Sequence, residues 1–183
     1  MTATVTLSVD VPVIETERLI LREPTLQDFD AYADFAASDR TAYVGGKLTR
    51  YEAWRKYIGF VGHWVLRGYG YWTITEKATG AIIGRTGVGY HEGEWPEPEL
   101  GWTLQDGCEG KGYAFEAAVA ARAQAAQMGL GPLISLIDPD NARSRRLAER
   151  MGATVEREMT LLGDRAIVYR HPASSGPATG GAA

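Results

Sequence analysis

The sequence predicts a mixed α/β fold, and three observations carry that prediction. Apolar residues recur at helical spacing up to about residue 66, and from Gly70 the period shortens to the two-residue alternation of strands. Two later segments each pass from an apolar, β-rich run through a turn into a second helical pattern. The resulting order, β-α-α-β-β-β-α-β-α-β-β, is neither all-parallel nor all-β. A chain of 183 residues, 45% hydrophobic and 23% charged, suits one domain with a sizeable core.

Residues 1–12 alternate weakly through Val5, Leu7, Val9 and Val11 and stop at Pro12, so they read as an arm or edge strand ahead of a single domain at 13–171. Residues 18–22 form a short strand bounded by Pro24. Thr25 then caps a helix that places Phe29, Tyr32, Ala33 and Ala36 on one face. A second helix fits 49–66, with Trp54, Ile58, Val61 and Val65 sharing a face. Strands follow at 71–75, 81–90 and 99–104, separated by turns such as Ala78-Thr79-Gly80. A glycine-dense turn at 106–112 opens an alanine-rich helix at 113–128, closed by Gly129. A strand at 133–137 enters a helix at 141–151, closed by Gly152. Residues 155–158 and 166–169 make a hairpin about Gly163-Asp164. From 172 to 183 there is no large apolar residue, so this stretch reads as a flexible tail.

Composition excludes several classes. A net charge of −4 argues against broad nucleic-acid binding, which needs a basic face. No stretch reaches the roughly 18 apolar residues of a membrane span. The lone Cys108 rules out an intrachain disulfide framework, and Asp10 precedes the first positive side chain, Arg18, unlike a secretory leader; a cytoplasmic location is expected. His63, His91 and His171 lack metal-ligand spacing, so no metal is expected.

Two segments hold the chemistry. In Leu104-Gln105-Asp106-Gly107-Cys108-Glu109-Gly110-Lys111-Gly112-Tyr113-Ala114 a strand ends, a glycine loop follows and a helix begins. Backbone amides in such a loop, with a helix N-terminus behind them, suit a phosphate. Equally, the glycines suit a tight turn with a close helix–strand contact. A nucleoside-triphosphate P-loop fails on spacing, and a dinucleotide fingerprint fails because Phe115 stands where Gly or Ala is needed. The second segment, residues 140–152, starts a helix at Asn141, a good N-cap, with Ser144, Leu147, Ala148 and Met151 on one face. Arg143, Arg146 and Arg150 read as a solvated row, and Arg145 and Glu149 as a pair across one turn.

A glycine loop opening a helix, then a strand, then Asn-x-x-Ser-x-x-Leu-x-x-Arg-x-Gly, resembles the GNAT superfamily of acyl-CoA-dependent N-acetyltransferases. More narrowly, Thr16 to Arg22, Glu99 to Trp102, Gly110 to Ala114 and Glu116 resemble its Rim-type branch of ribosomal-protein N-terminal acetyltransferases. The resemblance implies a central, mostly antiparallel, splayed β-sheet flanked by about four helices. It implies acetyl-CoA as cosubstrate, held by Glu109, Gly110, Lys111, Gly112, Tyr113 and Ala114 at the pyrophosphate. Trp102, Thr103 and Leu104 would lie along the pantetheine arm, and Asn141 and Ser144 near the thioester. Glu109 stands where the family usually has Gln or Arg, and its carboxylate is expected to point away from the phosphates.

The implied reaction is direct attack of a neutral amine on the thioester in a ternary complex, with Glu99 as base. The family's usual Tyr acid is absent, its slot being Ala148, which leaves Ser144 or an unassisted thiolate. The acceptor would be a protein N-terminus or a small amine. One hypothesis makes it cationic, drawn by the carboxylates and Trp95 of residues 91–99; a solvated hairpin rim is the alternative. Tyr43, Trp54, Tyr69, Tyr71 and Trp72 either wall that pocket or pack in the core. A competing function is a catalytically silent acyl-CoA-binding sensor of the same fold, and a homodimer is compatible with either.

Overall fold

The computed structural model describes residues 9–173. Along the chain come β1 (Ile14–Glu15), β2 (Leu19–Arg22), α1 (Phe29–Ala37), α2 (Arg50–Arg67), β3 (Tyr71–Glu76), β4 (Ile82–Gly89), β5 (Glu99–Leu104), α3 (Tyr113–Gln127), β6 (Ile134–Ile137), α4 (Ala142–Arg150), β7 (Thr154–Leu161) and β8 (Asp164–Arg170). Local chemistry sets the helix ends. Thr49 and Glu52 form a capping box before α2, and Gly68 closes that helix at φ 73°. The Asn141 side chain caps α4 by accepting from the Ser144 N–H at 3.1 Å.

The strands form one eight-stranded sheet in the order β1-β2-β3-β4-β5-β6-β8-β7. Every neighbouring pair is antiparallel except β5 and β6, which run parallel and are joined in register only at Glu99–Ile134. Beyond that point the two strands part. The fold is therefore a mixed α/β, mostly antiparallel, splayed sheet with four helices.

Leu19, Leu21, Trp72, Ile74 and Leu100 pack with Ala117, Ala118, Ala121 and Ala125 of α3, all fully buried. Alanines let α3 lie close to the sheet, and each buried Leu or Ile contributes about 1.5–3 kcal/mol. Ala148 of α4 joins Ile137, Ile167 and Tyr169. Phe29, Tyr32, Ala53 and Tyr57 knit α1 to α2, and Phe60 meets Tyr71 of the sheet at 5.7 Å between ring centres.

Two ion pairs explain the conspicuous residues near the start of the fold. Glu116 accepts from Thr16 Oγ1 at 2.6 Å, from the Arg18 N–H at 2.9 Å and from Arg18 Nε at 2.7 Å, locking the entry to β2 against α3. Arg22 grips Asp28 bidentately at 2.7 Å, which fixes the turn into α1.

Trp54, Ile58, Val61 and Val65 share a face of α2, and that face is exposed; the buried residues of the helix are Ala53, Tyr57 and Trp64. Three expectations are corrected. The last hairpin turns on Leu162-Gly163, because Leu161 pairs with Asp164 and both turn residues have positive φ. Arg145 and Glu149 do not pair directly, since each bonds the Tyr169 hydroxyl instead, at 3.2 and 3.1 Å. Residues 9–13 carry no strand, and the edge strand is β1; residues 1–8 of the arm and 174–183 of the tail lie outside the described residues.

Candidate active site

The glycine loop is built from left-handed backbone. Gly107, Gly110 and Gly112 take φ values of 73°, 75° and 83°. A Cβ on Gly107 or Gly110 would meet nothing within 4 Å, so conformation rather than crowding calls for glycine there. Gly112 is the N-cap of α3, and the first-turn amides of that helix have no partner of their own within it.

This loop, the end of β5 and the start of α4 wall a cleft of about 1170 Å³. Trp102, Thr103, Leu104, Glu109, Gly110, Gly112, Tyr113, Ala114, Asn141 and Ser144 all lie on it. Lys111 does not; it is exposed, and its carbonyl accepts from Arg18 Nη1 at 2.9 Å. Arg143, Arg146 and Arg150 are exposed as expected, but the solvent they face is this cleft. Arg150 also stacks on Phe115, 4.7 Å from its ring centre.

Sequence reasoning missed Arg40, which sits in the short turn Asp39–Thr41 and shares the cleft. Its Nε donates to the Leu104 carbonyl at 3.0 Å and its guanidinium pairs with Glu109. The Glu109 charge is thus countered from inside the cleft wall. No periodicity or spacing marks a residue in so short a turn.

The flank of β5 facing β6 is open. The Leu100 carbonyl accepts the Ser135 hydroxyl at 2.6 Å, and the Leu104 carbonyl accepts Arg40, so both point away from β4. Trp102 lies midway between them, and the two-residue repeat turns its N–H and C=O the same way, into the divergence of the strands. Asn141 Oδ1 is taken up as the helix cap, while its Nδ2 makes no hydrogen bond within the described residues. Ser144 is half-buried beside it.

Glu99 stands at the root of the divergence and does not line the large cleft. Burial pushes its carboxyl up to about 7, against hydrogen bonds from Trp95 Nε1 at 2.6 Å and the Leu136 N–H at 3.1 Å. It shares a sheet face with Gly101 and Thr103, as alternation requires, and with Tyr71 of β3. A Cβ on Gly101 would fall 2.2 Å from the Tyr71 hydroxyl, so glycine makes room for that ring. Burial and the neighbouring Glu99 push the Tyr71 phenol upward, keeping it protonated. Ala148 is fully buried, so the slot for a tyrosine acid holds no polar group.

The acidic run divides. Glu92 pairs with Arg67, Glu97 is held by Arg170 at 2.6 and 2.7 Å, and Glu99 is engaged by Trp95; among the described residues only Glu94 lacks a partner. That weakens its case as a lure for cations. Of the aromatic group only Tyr43 lines the large cleft, while Trp72 is fully buried. Among the described residues no grouping of three or more His, Cys, Asp or Glu could hold a metal, and no helix is long and apolar enough to cross a membrane.

Residues 18–154 match a family model described as an acetyltransferase (GNAT) domain. An acetyltransferase from Agrobacterium tumefaciens is 38% identical, with a TM-score of 0.81 over 93% of this chain and 99% of that one. A Bordetella pertussis chain assigned to the GNAT family is 26% identical, with a TM-score of 0.75 over 88% and 100%. RimL, a ribosomal α-N-protein acetyltransferase solved with coenzyme A, is 18% identical and similar in fold, with a TM-score of 0.71 over 86% and 96%.

Proposed function

We propose, from the premise that this chain belongs to the GNAT acetyltransferase family, that it moves an acetyl group from acetyl-CoA to a primary amine in a ternary complex. One observation carries the reading: the glycine loop, the open flank of β5 and the Asn141 cap converge on a single cleft large enough for such a cosubstrate. Bound acetyl-CoA supplies a thioester carbonyl for the amine to attack.

The chain's own residues then have these roles. Main-chain amides from Gly110 to Ala114 and the N-terminus of α3 hold the pyrophosphate, with Arg143, Arg146 and Arg150 adding positive charge. Trp102, Thr103 and Leu104 offer main-chain groups to the pantetheine arm, and Asn141 Nδ2 and the Ser144 hydroxyl donate near its end. Glu99, half-ionised near neutral pH, takes the proton from the amine, directly or through a water. The Rim-type motifs favour a protein N-terminus or a small amine as acceptor. Cys108, unpaired, suits a reducing cytoplasm.

Calorimetric titration with acetyl-CoA, beside a Gly112→Trp variant, tests the site, and thiol release over a panel of amines tests transfer. Micromolar binding by the wild type, none by the variant, and turnover with an amine are expected. Binding without acetylation of any amine would favour the silent sensor; no binding by the wild type would overturn both.

A further inference from the structure

On the α1 and α2 side of the sheet lies a second cavity of about 30 Å³, room for a water or a single carboxylate group. It shares Phe35, Thr103 and Leu104 with the large cleft, so the two spaces adjoin. Its cationic wall is Arg85 of β4. The Arg85 guanidinium is centred 4.0 Å from the Phe60 ring, 4.8 Å from Tyr32 and 5.4 Å from Tyr71. Its Nε donates to Thr103 Oγ1 at 3.3 Å, and Nη1, shut off from solvent, meets no acceptor.

Among the described residues no carboxylate pairs with this guanidinium. Asp28, the carboxylate that lines the same cavity, is already committed to Arg22, to the Thr25 N–H at 2.9 Å and to the Thr73 hydroxyl at 3.0 Å. Three aromatic faces offset part of the cost of burying Arg85. The Tyr32 hydroxyl and Thr103 take part of its hydrogen bonding, but neither reaches Nη1, and a buried guanidinium N–H without an acceptor is costly to keep. The planar oxygens of a carboxylate small enough for the cavity would fill that place and match the guanidinium in charge and geometry.

Arg85 also occupies the sheet face of the residue read above as the base. It pairs with Thr103 across β4 and β5, and Glu99 is four residues before Thr103 on that face, about 13 Å along the strand. Tyr71 lies between, its ring beside Arg85 and its hydroxyl against Gly101. We infer that Arg85 is the anion-binding element of the acceptor subsite, and that the acceptor is an amine carrying a carboxylate several bonds away. This rests on the transferase reading above and names its substrate class. A zwitterionic acceptor replaces the purely cationic one expected from the acidic run.

The test compares 6-aminohexanoate with 6-aminohexanamide, and a dipeptide with its C-terminal amide, in acetyl transfer. The acid of each pair should be preferred at least tenfold in kcat/KM. Arg85→Met should bring that ratio near one, and Arg85→Lys should recover part of it; thermal melts of both report folding. Equal use of acid and amide by the wild type, or a preference that survives Arg85→Met, overturns the inference. Calorimetry with the product 6-acetamidohexanoate reads the subsite without turnover. Binding by wild type and not by Arg85→Met, in an enzyme that acetylates nothing, would sink the transferase reading and uphold the anion subsite. No binding of the product by the wild type sinks the subsite.

Discussion

The Glu99 carboxylate accepts a hydrogen bond from the Leu136 N–H at 3.1 Å, bridging β5 to β6 where the two strands part. A strand–strand contact is thereby replaced by a side chain whose proton comes off near pH 7. If Glu99 is the base, kcat/KM should rise with pH and level off above about 7. Glu99→Gln should remove that limb and lower kcat by about 10²–10⁴. A loss under tenfold with the limb intact would leave Glu99 as a brace alone.

Glu99 and His171 act on stability in opposite senses. His171 is buried, receives Arg122 Nη1 on Nδ1 at 3.3 Å, and so gives its Nε2 proton to Ser135 Oγ at 2.9 Å. Burial, then Arg122, push its pKa down to about 4, so stability is lost as pH falls from about 6.5 toward 4. The Glu99 carboxyl is raised, so its contribution is full below about 4.5 and is lost as pH climbs through 7. Between about 4.5 and 6.5 the two nearly cancel. Urea titrations across that window should show His171→Gln gaining stability toward acid relative to wild type, and Glu99→Gln losing it. Each slope is at most about 1.4 kcal/mol per pH unit. Parallel slopes in both variants would refute the assignment.

The arginine row of α4 makes a third prediction. Arg143, Arg146 and Arg150 face the cleft from solvent, so their attraction for phosphate is long-range and screened. Replacing each by Gln should raise the acetyl-CoA Kd about two- to tenfold in 50 mM salt and much less in 500 mM. A salt-independent loss would mean direct contacts, and no loss would return the row to a merely solvated face.

What the sequence discloses follows physical range. Helix starts were legible where a cap acts within one turn, as Asn141 does on the Ser144 N–H. The bounds of β5 and the face of Glu99 follow from alternation alone. The buried side of α2 was not legible. Two adjacent stripes of that helix are both apolar, and periodicity cannot say whether Trp54 and Ile58 or Tyr57 and Trp64 are buried. The ion pair of Glu97 with Arg170 spans 73 residues, beyond any local signal. Nothing in the sequence singles out Arg85, because Tyr32, Phe60 and Tyr71 come around it only in the fold.

Arg40 and Glu109 carry the last prediction. Glu109 sits in the loop read as the phosphate cradle, where a bare carboxylate would repel the ligand, and Arg40 pairs with it from the turn after α1. The Arg40 side chain is 23% exposed and that of Glu109 31%, so solvent screens the pair only in part. Removing Arg40 alone leaves the Glu109 carboxylate uncompensated beside the cradle, whereas removing both takes that charge away and leaves only the exposed Asp106, which also faces Arg40 at 3.5 Å, without its partner. Arg40→Ala should therefore weaken acetyl-CoA binding about tenfold, Glu109→Gln should leave it equal or tighter, and the double variant should recover most of the loss. The coupling read from this cycle should be about 1 kcal/mol or more. Additive effects would show that Arg40 acts through its bond to the Leu104 carbonyl, by shaping the end of β5, and not by neutralising Glu109.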